Sequence, residues 1–363
     1  MNRRKRARGG AGQGLLTARR PVVSEIPEPS WARLPDEQLL DLRLSDLGLQ
    51  LEGTILEDRV QQLYRELQQR GLTYRPRCWL SSEWFSPDDV PGIALPFYLA
   101  HPRLTKLEDA NMLEVEGGTK TWCMQLLRHE AGHAYETAYR LNRRTKWRRL
   151  FGCSSKPYPE YYSPQPSSRQ FVLHLDWWYA QSHPCEDFAE TFAVWLKPGS
   201  QWRKRYQGWP ALKKLEYVDE LMHEIAGEPP VVKSRRAVDP VHRLDQSLRD
   251  HYQERQDRYE TDYPDFYDQD LRKLFSVERD HTKSMAASTF LRRVGPRLRR
   301  LVAAWTGEYT YTINLVLKDM ITRCRELDLR LGRPEDEARL EAAIMLTMQT
   351  MNYVHSRDHK IAL

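Results

Sequence analysis

Apolar residues recur every three or four positions between Leu34 and Leu72: Leu39 and Leu42, then Leu56, Val60, Leu63 and Leu67. That spacing lines one face of a helix, and Gly71 supplies a stop. From 73 to 117 the pattern changes to Trp79, Trp84, Ile93, Leu95, Phe97 and Leu99, punctuated by Pro and Gly, which predicts short strands. Pro96 cannot donate to a sheet ladder, so the run Gly92–Ala100 is expected at a sheet edge. Helical spacing returns from Thr119 to Leu141, with Trp122, Leu126, Leu127, Ala131 and Ala134 on or near one face. Residues 142–182 are irregular and rich in Pro, Ser and aromatics (Tyr158, Tyr161, Tyr162, Trp177, Trp178, Tyr179). A loop this long is usually functional or disordered, and its aromatic content argues against disorder. Two more helices are predicted, over Cys185–Leu196, ended by Lys197-Pro198-Gly199, and over Ala211–Ala226. Gly227-Glu228-Pro229-Pro230 reads as a boundary, beyond which the pattern is helical, and no internal repeat is visible. The expectation is a leader over 1–30, an α+β domain over 31–230 and a mainly α-helical accessory region over 231–363. The α+β domain is expected to hold a small mixed sheet with an edge strand.

Composition changes this picture in two respects. The chain has 363 residues and a net charge of +6, with a pI near 9.0, a balance that invites a nucleic-acid reading. Located along the chain, however, the charge is +5 over residues 1–30, −2 over 31–230 and +3 over 231–363. The excess therefore sits on a leader of Arg, Gly and Pro that has too few apolar residues to order itself. The body offers no patch of interleaved basic and aromatic residues, which argues against nucleic acid as a partner. Secondly, no run of about 18 apolar residues exists to span a membrane, and no apolar segment follows the basic N-terminus as in a secretory signal. The five cysteines (Cys78, Cys123, Cys153, Cys185, Cys324) are scattered and form no CxxC pair. They fit a reducing compartment, so a cytoplasmic location is expected.

Chemistry concentrates at His129-Glu130-Ala131-Gly132-His133. On a helix, residues i and i+4 lie about 40° apart around the axis, so both imidazoles leave one face. Zn²⁺ accepts His nitrogens at about 2.0–2.1 Å, and two ligands one turn apart fill two of its four positions. Glu130, beside the first histidine, can take a proton from a water on the metal and pass it to a leaving amine. A third ligand is needed. A metzincin would place Gly three and His six residues after His133, where Glu136 and Tyr139 stand, so that class is excluded. A glutamate on a second helix is the alternative. Glu186 and Glu190 share a face of the segment Cys185–Ala193 among Phe188, Ala189, Phe192 and Ala193. Two carboxylates four apart on a half-buried face repel unless a cation or a His N–H offsets them.

HEAGH followed about 50 residues later by EDFAE resembles the gluzincin peptidases, whose motif is HExxH with a downstream Glu-x-x-x-Asp/Glu. The form EDFAETFA is most similar to the lethal-factor-like members and to a bacterial zinc-binding metallopeptidase family, over roughly residues 75–225. The resemblance implies a zincin-like catalytic domain and one zinc ion per chain. His129, His133 and Glu186 would be its ligands, and Glu190 would orient a ligand histidine, His129 in the first place. It also implies a tyrosine seven residues before the ligand Glu that stabilises the oxyanion, here Tyr179; His183 competes for that role and for the third ligand position. The implied activity is zinc-dependent hydrolysis of a peptide or protein substrate. A zinc amidase acting on a modified or non-protein amide, a nucleic-acid-associated protease and a retired metal-binding scaffold remain as alternatives. The intact Glu130 speaks against the last. Gly92–Ala100 is expected either to hold an extended substrate or to serve as an ordinary core strand. The run Arg140, Arg143, Arg144, Lys146, Arg148 and Arg149 reads as a solvated helix end, or as an attractor of acidic substrate. Oligomeric state is not legible.

Overall fold

The computed structural model describes residues 28–159, 161, 162, 164–259, 268–276, 284–356, 361 and 362. The expected disordered leader therefore falls, for residues 1–27, outside the described residues. The helical reading of 34–72 resolves into a short helix (Asp36–Leu40), a turn at Leu44–Leu47 and one long helix, α1 (Ile55–Gln69). Gly48, at φ 60°, ends the short turn Leu44–Leu47 and prevents a continuous helix. Thr54 opens α1 by accepting from Glu57 N, while Glu57 reaches back to Gly53 N at 2.7 Å. This reciprocal cap satisfies one N–H that the first turn leaves open and ties Gly53, just before the cap, to the same turn.

Strands β1 (Arg77–Ser81) and β2 (Gly92–Pro96) pair in parallel, from Arg77 opposite Gly92 to Ser81 opposite Pro96. The sheet is smaller than the pattern suggested. All five residues of β2 are buried, and on its far side Ala94 N donates to Phe85 O at 2.8 Å. Residues expected as further strand instead form α2 (Pro102–Met112). Pro102 sits in its first turn, and His101 Nδ1 accepts from Arg103 N, so this Pro starts the helix.

The centre of the body is α3 (Lys120–Tyr139) crossing α4 (Pro184–Leu196), with α5 (Ala211–Glu224) behind α4 and α6 (Leu248–Tyr259) near α2. α3 and α4 touch through small residues: a Cβ on Gly132 would lie 2.7 Å from Ala189 Cα. Around this point Tyr135 stacks on Phe192 at 5.3 Å between ring centres. Buried ion pairs tie the remaining helices on. Arg128 grips Glu66 of α1 with two bonds of 2.8 and 2.9 Å, Arg255 meets Glu108 at 2.7 Å, and Lys214 meets Asp187 at 2.6 Å. One continuous apolar cluster runs from Trp31 to Tyr252.

A second cluster, from Leu271 to Leu346, gathers the short helix Asp268–Leu274 with α7 (Ala287–Thr306), α8 (Thr310–Glu326) and α9 (Glu335–Ser356), matching the helical pattern of the C-terminal region. The two bodies meet where Thr310 N, at the start of α8, donates to Glu114 at 3.3 Å. They meet again where β3 (Tyr161–Tyr162) pairs antiparallel with β4 (Ile361–Ala362). No described helix is long and apolar enough to cross a membrane.

Candidate metal centre

Gly132 decides how closely the two chemistry-bearing helices approach. It stands between His129 and His133 on α3, and its counterpart Ala189 stands between Glu186 and Glu190 on α4. With no Cβ between the backbones, one turn of each helix faces the other. His129 Nε2 lies 3.0 Å from Glu186 Oε2, His133 Nε2 lies 3.1 Å from the same oxygen, and the two Nε2 atoms are 3.1 Å apart. A tetrahedral zinc ion with bonds of about 2.0–2.1 Å separates its ligands by about 3.3 Å, so this triangle fits one.

The surroundings prepare the donors. His129 Nδ1 donates to Glu190 Oε1 at 2.8 Å, which fixes the tautomer that leaves the Nε2 lone pair facing Glu186 and His133. Glu190 is itself held, its Oε2 accepting from Leu175 N at 2.9 Å. The loop carrying Leu175 is clamped to α3 by a reciprocal pair: His174 Nε2 donates to Gln125 O, and Gln125 Nε2 donates to His174 O. Burial disfavours charge on His129, but hydrogen bonds and charges from Glu186 and Glu190 hold it well above its ordinary value. Burial likewise opposes ionisation of Glu186, yet His133 and His129 keep its carboxyl well below the usual range. The site is arranged to hold positive charge against its carboxylates. Glu130 completes it. Its Oε2 is buried with no hydrogen-bond partner among the described residues, and its backbone carbonyl accepts from Ser86 Oγ at 3.1 Å.

Among the other sequence candidates, Tyr179 stands close by, its ring 5.6 Å from that of His129. Burial first, then the charges of Glu186 and Glu130, push its phenol well above the ordinary range and keep it protonated. His183 is not brought into the triangle. Its Nδ1 caps α4 by accepting from Cys185 N, and its Nε2 donates to Lys156 O at 3.0 Å. Tyr158, which the sequence marked only as one of several loop aromatics, stacks on His183 at 3.9 Å and donates to Glu186 Oε1 at 2.8 Å. Glu116 was missed altogether. Burial, opposed by Arg255 and reinforced by the charge of Glu130, pushes its carboxyl up to about 7. The basic run after α3 is partly neutralised on the surface, Arg144 pairing with Glu224 and Lys146 with Glu220, as a solvated helix end would be.

Residues 121–201 match the family described as "Putative zinc-binding metallo-peptidase". The match spans nearly all of α3, the aromatic loop and α4, so it covers every donor of the triangle, and it bears out the resemblance to zinc metallopeptidases. No curated protein and no solved structure matches the chain.

Proposed function

We propose that this chain is a gluzincin-type peptidase with a zincin-like catalytic centre, in which His129, His133 and Glu186 hold one zinc ion. The observation that carries the reading is the convergence of His129 Nε2, His133 Nε2 and Glu186 Oε2 beside the orphaned Oε2 of Glu130. Zinc at this donor set supplies Lewis-acid polarisation of a carbonyl oxygen and acidifies water. Glu130 accepts the proton of the attacking water at its open Oε2 and returns it to the leaving amide nitrogen. Glu190 keeps His129 in the donor tautomer, and Tyr158 holds Glu186 from the far side. Tyr179, protonated and beside His129, donates to the oxyanion as the carbonyl becomes tetrahedral. The catalytic unit is the body whose apolar cluster runs from Trp31 to Tyr252, and the matched family supports a peptide or protein as substrate.

The test combines composition with activity. Purified chain should carry about one equivalent of zinc and cleave members of a mixed peptide library. Glu130→Gln should keep the zinc and lose about 10²–10⁴-fold in rate, the usual share of a general base. Full activity in Glu130→Gln would refute the assigned mechanism, and cleavage of small amides but no peptide would favour an amidase.

A further inference from the structure

The loop after α3 reaches the metal centre through Tyr158. Tyr158 donates to Glu186 Oε1. Tyr162, four residues on, is buried. The backbone of Tyr161–Tyr162 is already paired: Tyr161 stands opposite Ala362 and Tyr162 opposite Ile361, antiparallel. Antiparallel addition to an exposed strand is a general way to hold an extended peptide, because main-chain bonds set its register whatever its side chains are. β2, expected either to do this or to be an ordinary core strand, is buried, and its outer side at Ala94 is taken by Phe85.

We propose that the backbone of Tyr161–Tyr162 is the edge on which an extended peptide substrate docks, and that Ile361–Ala362 occupies that edge in cis as a tethered competitor. The word substrate rests on the peptidase reading; the docking itself does not require it. A tethered segment can act at an effective concentration of about 1 mM. If the pairing alone has a Kd of about 0.1 mM, the occupant raises the apparent KM of a substrate about 10-fold.

The experiment compares the full chain with two variants: Ile361→Pro together with Ala362→Pro, which removes both N–H donors of β4, and a chain ending at Lys360. The probe is a fluorescein-labelled peptide of residues 355–363 (HSRDHKIAL), followed by fluorescence anisotropy with and without a chelator. Both variants should bind it about 10-fold more tightly than the parent, and a probe carrying the two prolines should not bind. For peptides that are cleaved, KM should fall about 10-fold in the variants with kcat unchanged. Equal probe affinity in parent and variants, or no binding to either variant, overturns the proposal. Probe binding that follows the expected order while no form hydrolyses peptide would instead sink the peptidase reading and leave the docking edge standing. Thermal unfolding of each variant identifies a misfolded chain, and the two independent changes keep the outcome readable if one of them misfolds.

Discussion

Gly132→Ala is the smallest change that should pull the site apart. The new Cβ would sit 2.7 Å from Ala189 Cα, 3.1 Å from Ala189 O and 3.2 Å from Ala189 Cβ. Carbon atoms pack at about 3.5–4.0 Å, so α3 and α4 must separate by about 1 Å, and the nearest obstacles are backbone that no rotamer can move. Overpacking of this kind costs about 1–3 kcal/mol. Exchanging Gly for Ala inside a helix returns about 1 kcal/mol. The net expectation is a loss of about 1 kcal/mol in the metal-free chain, measured by urea unfolding. The effect on the site is larger, because the 1 Å enters directly into ligand separations of 3.0–3.1 Å. Zinc affinity, read by chelator competition, should fall about 10–100-fold, the scale seen when ligand orientation is disturbed. Hydrolysis should fall on the order of 10²-fold, the cost of a 1 Å misplacement. Ala189→Gly should not rescue the variant, since it removes the most distant of the three contacts and leaves the other two. A Gly132→Ala chain as stable as the parent and with the same zinc affinity would refute the account of the helix crossing.

Glu66→Ala leaves the Arg128 guanidinium, 7% exposed, without its bidentate partner and should destabilise the fold by about 3–5 kcal/mol in urea, whereas Glu66→Leu with Arg128→Met should cost little or nothing. His251 is buried against Phe97 with its Nε2 unpartnered; burial, then the charges of Arg255 and Arg258, push it down to about 3. Because the fold prefers neutral His251, its contribution is complete above pH 6.5 and is lost as pH falls toward 3. At about 1.4 kcal/mol per unit this is about 3 kcal/mol by pH 4. His251→Phe should therefore show a flatter urea midpoint between pH 7 and pH 4 than the parent, and equal slopes would contradict the burial argument. Tyr158→Phe should weaken zinc binding about 10–100-fold by freeing Glu186. Tyr179→Phe should leave zinc binding unchanged and lower kcat by about 10²–10³-fold.

His129, Glu130 and His133 were legible because their spacing is a property of a single helix: i and i+4 share a face wherever that helix lies. Glu186 and Glu190 were legible by the same periodicity, with the resemblance to gluzincins supplying the pairing between helices that periodicity cannot supply. The helices α3, α4 and α5 came out near their observed limits because each carries its own start or stop: Thr119 before α3, Pro184 opening α4, and Gly227 shortly beyond α5. α2 fell within the stretch 73–117 read as short strands, and its start at Pro102 shows only once His101 is seen capping it.

What the sequence determined by itself is therefore local: which residues form one helical face, and which of them carry metal-binding chemistry. The tertiary structure alone decided that Gly132 meets Ala189, that Tyr158 reaches Glu186 while His183 caps α4, and that β2 is covered while Tyr161–Tyr162 is paired with Ile361–Ala362. These are contacts between residues tens to hundreds of positions apart. Their partners are set by how helices and strands pack, and packing is a property of whole faces that no short spacing along the chain encodes.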